Sequence, residues 1–177
     1  MLVSWHNTAS SKAVFLWAGQ SSSQSTNSYV GIDATATVNN AVDAAYTLGV
    51  VSVAAAGNSG REATRYSPAS APSVITMGAV YWNNTRPDWS NYGSKVDIFA
   101  PGWDVISTWN SGGSNSDSGT SMASPHVAGL VLYLRGLESL ETADAVTNRI
   151  KKLASKGLVK NPGAGSPNLL AYNGNGL

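Results

Sequence analysis

The chain has 177 residues, 42% of them hydrophobic, enough for one domain with a core of its own, and its 11 basic and 10 acidic residues leave a net charge of +1. So even a balance offers no field to hold a polyanion, and nucleic acid is not an expected partner. Cysteine is absent, which excludes disulfides and thiolate metal sites, and no apolar run reaches the roughly 18 residues that spanning a bilayer requires.

Residues 1–30 carry no clear period. Trp5, Phe15 and Trp17 are scattered, and SSSQSTNS at 21–28 has the composition of a linker. AVFLWAG after Lys12 is barely as long as a signal-peptide core and follows a polar start, so no clear targeting segment is read. This stretch is set apart as an atypical segment, and 31–177 reads as the domain proper.

From Val38 the pattern sharpens: Val38, Ala41, Val42, Ala45 and Leu48 recur at helical spacing until Gly49 stops the run. VVSVAAA follows as a short apolar strand ending in GNSG. Residues 73–80 predict a second strand and 95–99 a third, ended by the APG of 100–102. Near-continuously apolar strands alternating with helices predict an α/β fold whose parallel sheet is covered on both faces.

WNSGGSNSDSG at 109–119 reads as a loop. A helix is predicted from about Thr120 through Val127, Leu130, Val131 and Leu134, with Pro125 in its first turns, where a proline costs least. Another spans about 142–153 with Ala143, Val146, Ile150 and Leu153 on its buried stripe, and the tail after Asn161 reads as irregular. Arg149, Lys151, Lys152, Lys156 and Lys160 read as the wet face of that terminal helix.

Ser121 thus falls at the start of a mostly apolar helix, and two readings of it stand. Small residues at a loop-to-helix junction can serve only capping and close packing. Alternatively, a hydroxyl beside free N–H groups and the positive end of a helix suits acyl transfer, where those groups stabilise the developing oxyanion. Asn58, just past a strand end, is a candidate for the second donor.

GTSMASPHVAG at 119–129 resembles the nucleophile motif of the subtilisin-like serine peptidases, and AAAGNSG at 54–60 resembles their oxyanion-asparagine segment. YSPAS at 66–70, SNYG at 90–93, DIFAPG at 97–102 and NLLAY at 168–172 are most similar to the proteinase K-like branch. The resemblance covers about 38–177. It implies a subtilisin-like parallel sheet flanked by helices, incomplete at the N-terminus, a polypeptide substrate, a monomer and an extracellular location. Position by position it implies Ser121 as nucleophile, Asn58 as oxyanion donor, and the backbone of Ala55, Ala56 and Gly57 as a wall of the substrate side-chain pocket. It also implies a calcium ion held by the carbonyls of Pro72 and Val74 and by Asp97, an all-oxygen set that suits calcium.

Two departures limit what carries over. The family's aspartate and histidine motifs, D-[ST]-G and H-G-T-x-V-A-G, do not occur. His6 in SWHNT lacks the glycine and small apolar helix start of that motif, and His126, five residues past Ser121, reads as structural. Where the family has a peptide-pairing Ser-Leu-Gly-Gly segment, this chain has YVGI at 29–32, in which only Gly31 agrees. The expectation is therefore a serine endopeptidase by ancestry that is inactive as this chain, the alternative being a non-catalytic remnant that binds peptides or another protein.

Overall fold

The structure, a computed structural model, describes residues 2–8, 11–17, 26–29, 32–109 and 112–175, with side chains from Asp33 onward. In chain order the elements are β1 (Leu2–Thr8), β2 (Ser11–Trp17), β3 (Thr26–Tyr29), β4 (Ile32–Asp33), α1 (Ala36–Thr47) and β5 (Val51–Ala55). A single 3-10 turn, Ala63–Arg65, leads into β6 (Tyr66–Ser67), β7 (Ile75–Val80), β8 (Ile98–Pro101), β9 (Val105–Thr108) and β10 (Ser114–Asp117). Then come α2 (Thr120–Glu138), α3 (Ala143–Leu153), β11 (Ser155–Lys156) and β12 (Leu169–Leu170).

The main sheet has the order β1-β2-β3-β5-β7-β8-β12-β11. Its centre, from β3 through β5, β7 and β8 to β12, is parallel, and antiparallel strands extend it at both ends. Thr26–Tyr29, where the composition suggested a linker, is one of the parallel strands.

Every residue of β5 and β7 is buried, because both faces of the sheet are covered. Val51, Val53, Ile75, Met77, Ala79, Ile98 and Ala100 pack against Ala123, Val127, Val131 and Leu134 of α2 and Val146 and Ile150 of α3. The alternate residues turn the other way: Ala54 meets Val42 of α1, and Val80 and Phe99 meet Ala56, Val96 and Val159. That two-residue alternation with mostly apolar side chains on both sides is why these strands read as near-continuous hydrophobic runs.

Several sequence expectations need correction. The third strand begins at Ile98 rather than Lys95. The 109–119 stretch is not all loop, because its second part is β10, which pairs antiparallel with β9. Gly112 and Gly113, at φ 89° and 73°, lead into β10, and the two strands, VIST and SNSD, are largely exposed and carry no apolar alternation to betray them. The irregular tail contributes the two-residue β12, which continues the parallel sheet beside β8. Pro125 is the sixth residue of α2, past the first turn, and so deprives the Ser121 carbonyl of its intrahelical partner.

Candidate active site

The chain leaves β8 at Pro101 and returns to the sheet at Gly119, whose N–H donates to the Gly102 carbonyl at 2.8 Å. That contact sets the start of α2. Gly119 is its N-cap and accepts from the amides of Met122 and Ala123 at 3.0 and 3.3 Å. Thr120 and Ser121 are therefore first-turn residues, whose own N–H groups have no partner within the helix.

The Thr120 N–H is satisfied from outside. Asn58 sits just beyond the end of β5, and its Oδ1 accepts from Thr120 N at 2.9 Å and from Thr120 Oγ1 at 2.7 Å. A backbone N–H can only donate, so the side-chain atom facing it must be the carbonyl oxygen, which settles the orientation of the Asn58 amide. The Thr120 hydroxyl, which is wholly buried, also accepts from Gly57 N at 3.1 Å. A relay from the Gly57 N–H through the Thr120 hydroxyl to the Asn58 carbonyl leaves the Nδ2 end of the amide as the free donor. It faces Gly119, where a Cβ would stand 3.1 Å from it.

The segment that presents Asn58 is held by Asn91. The buried Asn91 side chain donates to Ala56 O at 2.7 Å and accepts from Ser59 N at 3.0 Å and Arg61 N at 2.9 Å, while its own N–H donates to Gly57 O at 2.9 Å. Gly57 lies at φ +104°, and a Cβ there would come within 2.4 Å of Asn91 Nδ2, so both conformation and space demand glycine. Ala55, the last residue of β5, and Ala56 just after it are completely buried and run directly into this turn.

Ser121 is 8% exposed. It opens on a cleft of about 240 Å³ lined by Met122, Pro125 and His126 of α2 and by Ile106, Trp109 and Asp117 of the β9–β10 hairpin. The cleft thus holds a serine, a histidine and an aspartate, but they do not form a relay. His126 Nδ1 bonds the Met122 carbonyl one turn back at 2.8 Å, which places the ring proton on Nδ1 and ties the ring to its own helix. Asp117 Oδ1 accepts from Ser118 N at 2.8 Å. Among the described residues no hydrogen bond reaches the Ser121 hydroxyl.

Of the predicted site residues, the fold brings Ser121, Asn58, Ala55, Ala56 and Gly57 to one corner between the end of β5 and the start of α2. Pro72, Val74 and Asp97 lie at the start of β7 and β8, the opposite end of those parallel strands. Gly31 lies outside the described residues. His6 is on β1 opposite Ala13, and its side chain also lies outside them. Thr120 and Asn91, the two residues that orient the donor, were not singled out from the sequence. The quoted motifs GTS and SNYG contain them, but nothing in the spacing gives their partners.

Comparison with known proteins identifies the family. The model of the subtilase family, peptidase S8, matches residues 6–176. The chain is 56% identical over 140 residues to an alkaline proteinase of Hapsidospora chrysogena, covering 78% of this chain and 35% of that protein. It is 55% identical over 139 residues to alkaline protease 1 of Aspergillus flavus, covering 77% and 34%. Among solved structures, a cold-adapted subtilisin-like serine proteinase superposes with a TM-score of 0.77 at 40% identity, covering 81% of this chain and 52% of that one. A protease from Pseudoalteromonas arctica gives 0.71 at 29%, covering 81% and 47%. The chain thus spans about a third of the length of these curated relatives and about half of the solved chains. With the family match running over nearly all of its residues, the chain belongs to the subtilase family of serine peptidases.

Proposed function

We propose that this chain carries the acylation half of a serine endopeptidase site and, by itself, hydrolyses peptide bonds little or not at all. Ser121 is the nucleophile, and Asn58 Nδ2 and the Ser121 N–H receive the oxyanion of a substrate carbonyl. One observation carries the reading. The Asn58 amide is locked with its N–H end toward the open start of α2, near a serine hydroxyl that no imidazole among the described residues bonds.

The chemistry follows from that pairing of presence and absence. Two donors at a helix start lower the energy of a tetrahedral intermediate but do nothing to deprotonate a hydroxyl. Serine is a poor nucleophile near neutral pH until a positioned base takes its proton, and the base needs a carboxylate to hold its tautomer. Removing the base from such a triad costs roughly a millionfold in turnover. His126 does not substitute, since its Nδ1 is spent on Met122 O rather than on a carboxylate. Base and acid would therefore be supplied from outside these residues. A polypeptide substrate, a monomeric state and an extracellular location belong to the same proposal. No helix among the described residues is long and apolar enough to cross a membrane.

The test is hydrolysis of a chromogenic peptide by the purified chain, with Ser121→Ala as control and phenylmethylsulfonyl fluoride as inhibitor. The expected result is a rate equal to that of the control. Hydrolysis that the inhibitor removes and Ser121→Ala lacks would overturn the proposal. Binding of an uncleaved peptide that persists in Ser121→Ala would favour a binding remnant instead.

A further inference from the structure

Asp97 immediately precedes β8 and is the one side-chain ligand in the calcium set that the family resemblance implies, the others being the Pro72 and Val74 carbonyls. Both of its carboxylate oxygens are already engaged. Oδ2 accepts the Thr76 N–H at 2.8 Å, reciprocated by Asp97 N donating to Thr76 O at 2.9 Å, and Oδ1 receives the Lys151 ammonium at 2.7 Å.

A calcium ion would seek the same Oδ1 lone pairs that Lys151 occupies, and two cations on one carboxylate repel each other. With Lys151 in place, the residues present do not fit the ion. Nor is Lys151 a stray surface group. It lies in the last turn of α3, next to the fully buried Ile150, so the packing of that helix fixes where its stem begins. The pair is partly shielded, with side-chain exposures of 40% for Lys151 and 23% for Asp97. It joins positions 54 apart in the chain, tying the last turn of α3 to the place where β7 and β8 begin.

We propose that the Lys151 ammonium takes the place of a divalent cation at Asp97: it neutralises the carboxylate, ties α3 to the strand starts, and keeps calcium out. This inference does not depend on whether Ser121 turns over.

Calcium binding to the full chain is measured by equilibrium dialysis with radioactive calcium, and thermal unfolding by circular dichroism in millimolar calcium and in EDTA. For the chain with Lys151 the expected result is no bound calcium and melting temperatures that agree within about 1 °C. Lys151→Met keeps the apolar stem without the charge. It is expected to bind one calcium and to melt about 3 °C or more higher when calcium is about tenfold above its Kd. Adding Asp97→Asn to that variant should abolish the gain, which localises the ion. Stoichiometric calcium on the unsubstituted chain would overturn the proposal, and so would a Lys151→Met protein that stays indifferent to calcium. If Lys151→Met folds only when calcium is present, the proposal is upheld. If it folds in neither condition, Lys151→Gln is measured in the same way, and dialysis of the unsubstituted chain still decides whether the ion is excluded.

Discussion

Asn91→Ala tests how the candidate site is held. The side chain is wholly buried and makes three hydrogen bonds to the turn that carries Asn58, with Ala56 O, Ser59 N and Arg61 N at 2.7, 3.0 and 2.9 Å. At about 1 kcal/mol net for each, the three together contribute about 3 kcal/mol. Two corrections act in opposite directions. Ser59 and Arg61 are exposed, so water can replace the bonds to their amides and reduce that share. The Ala56 carbonyl belongs to a completely buried residue and is left without its donor, which alone costs about 1–3 kcal/mol. The net expectation is a loss of about 2–4 kcal/mol. With a urea m-value of about 2 kcal/mol per molar for a domain of this size, the midpoint should fall by about 1–2 M. Urea unfolding followed by tryptophan fluorescence and far-UV circular dichroism measures it, provided that the two probes coincide. Asn83→Ala is the control, because Asn83 is exposed and among the described residues its side chain bonds only Thr85 N, and it should stay within about 0.5 kcal/mol. Asn91→Asp is the sharper variant: it keeps an oxygen to accept from Ser59 N and Arg61 N but sets a second carboxylate oxygen against Ala56 O, so it should be no more stable than the alanine variant. A midpoint shift below about 0.5 M for Asn91→Ala would refute the view that this side chain clamps the turn.

Thr120→Val keeps the shape of a wholly buried side chain but removes the acceptor of the Gly57 N–H and one of the two donors to Asn58 Oδ1. A loss of about 1–3 kcal/mol is expected, together with loss of hydrogen-exchange protection at the Gly57 amide; an unchanged exchange rate there would remove Thr120 from the relay. Tyr46, at the end of α1, donates to Asp144 at the start of α3, and burial first, then that hydrogen bond, pushes its pKa up to about 12. Because the folded value is raised above the ordinary 10.0, the stabilisation is whole below pH 10 and is lost as pH rises toward 12. Absorbance titration of tyrosinate should accordingly find one group ionising late that Tyr46→Phe removes, and a tyrosine count complete by about pH 11 would contradict this.

Much of the central fold can be read directly from the residue order, because burial imposes a period. The runs over Val51–Ala55 and Ile75–Val80 are buried throughout and mostly apolar since both faces of the sheet are covered, and the stripes of α2 and α3 recur at helical spacing since one side of each meets the core. Ser121 and Asn58 stand out for a related reason: each falls where a regular element starts or ends, at a junction that composition marks. Elements without an apolar period escaped, as in the largely exposed β9–β10 hairpin and the two-residue β11 and β12.

What residue order alone determined is therefore which segments are buried and that Ser121 falls at the start of a helix. Only the tertiary structure decided which groups face each other across long stretches of chain. The Asn58 carbonyl meets Thr120 over 62 positions, Asn91 reaches Ala56 over 35, and Lys151 finds Asp97 over 54. A hydrophobic pattern records only how far each residue is removed from water. A hydrogen bond or an ion pair depends on the direction and distance of two particular atoms, and those exist only once the sheet and its helices have packed.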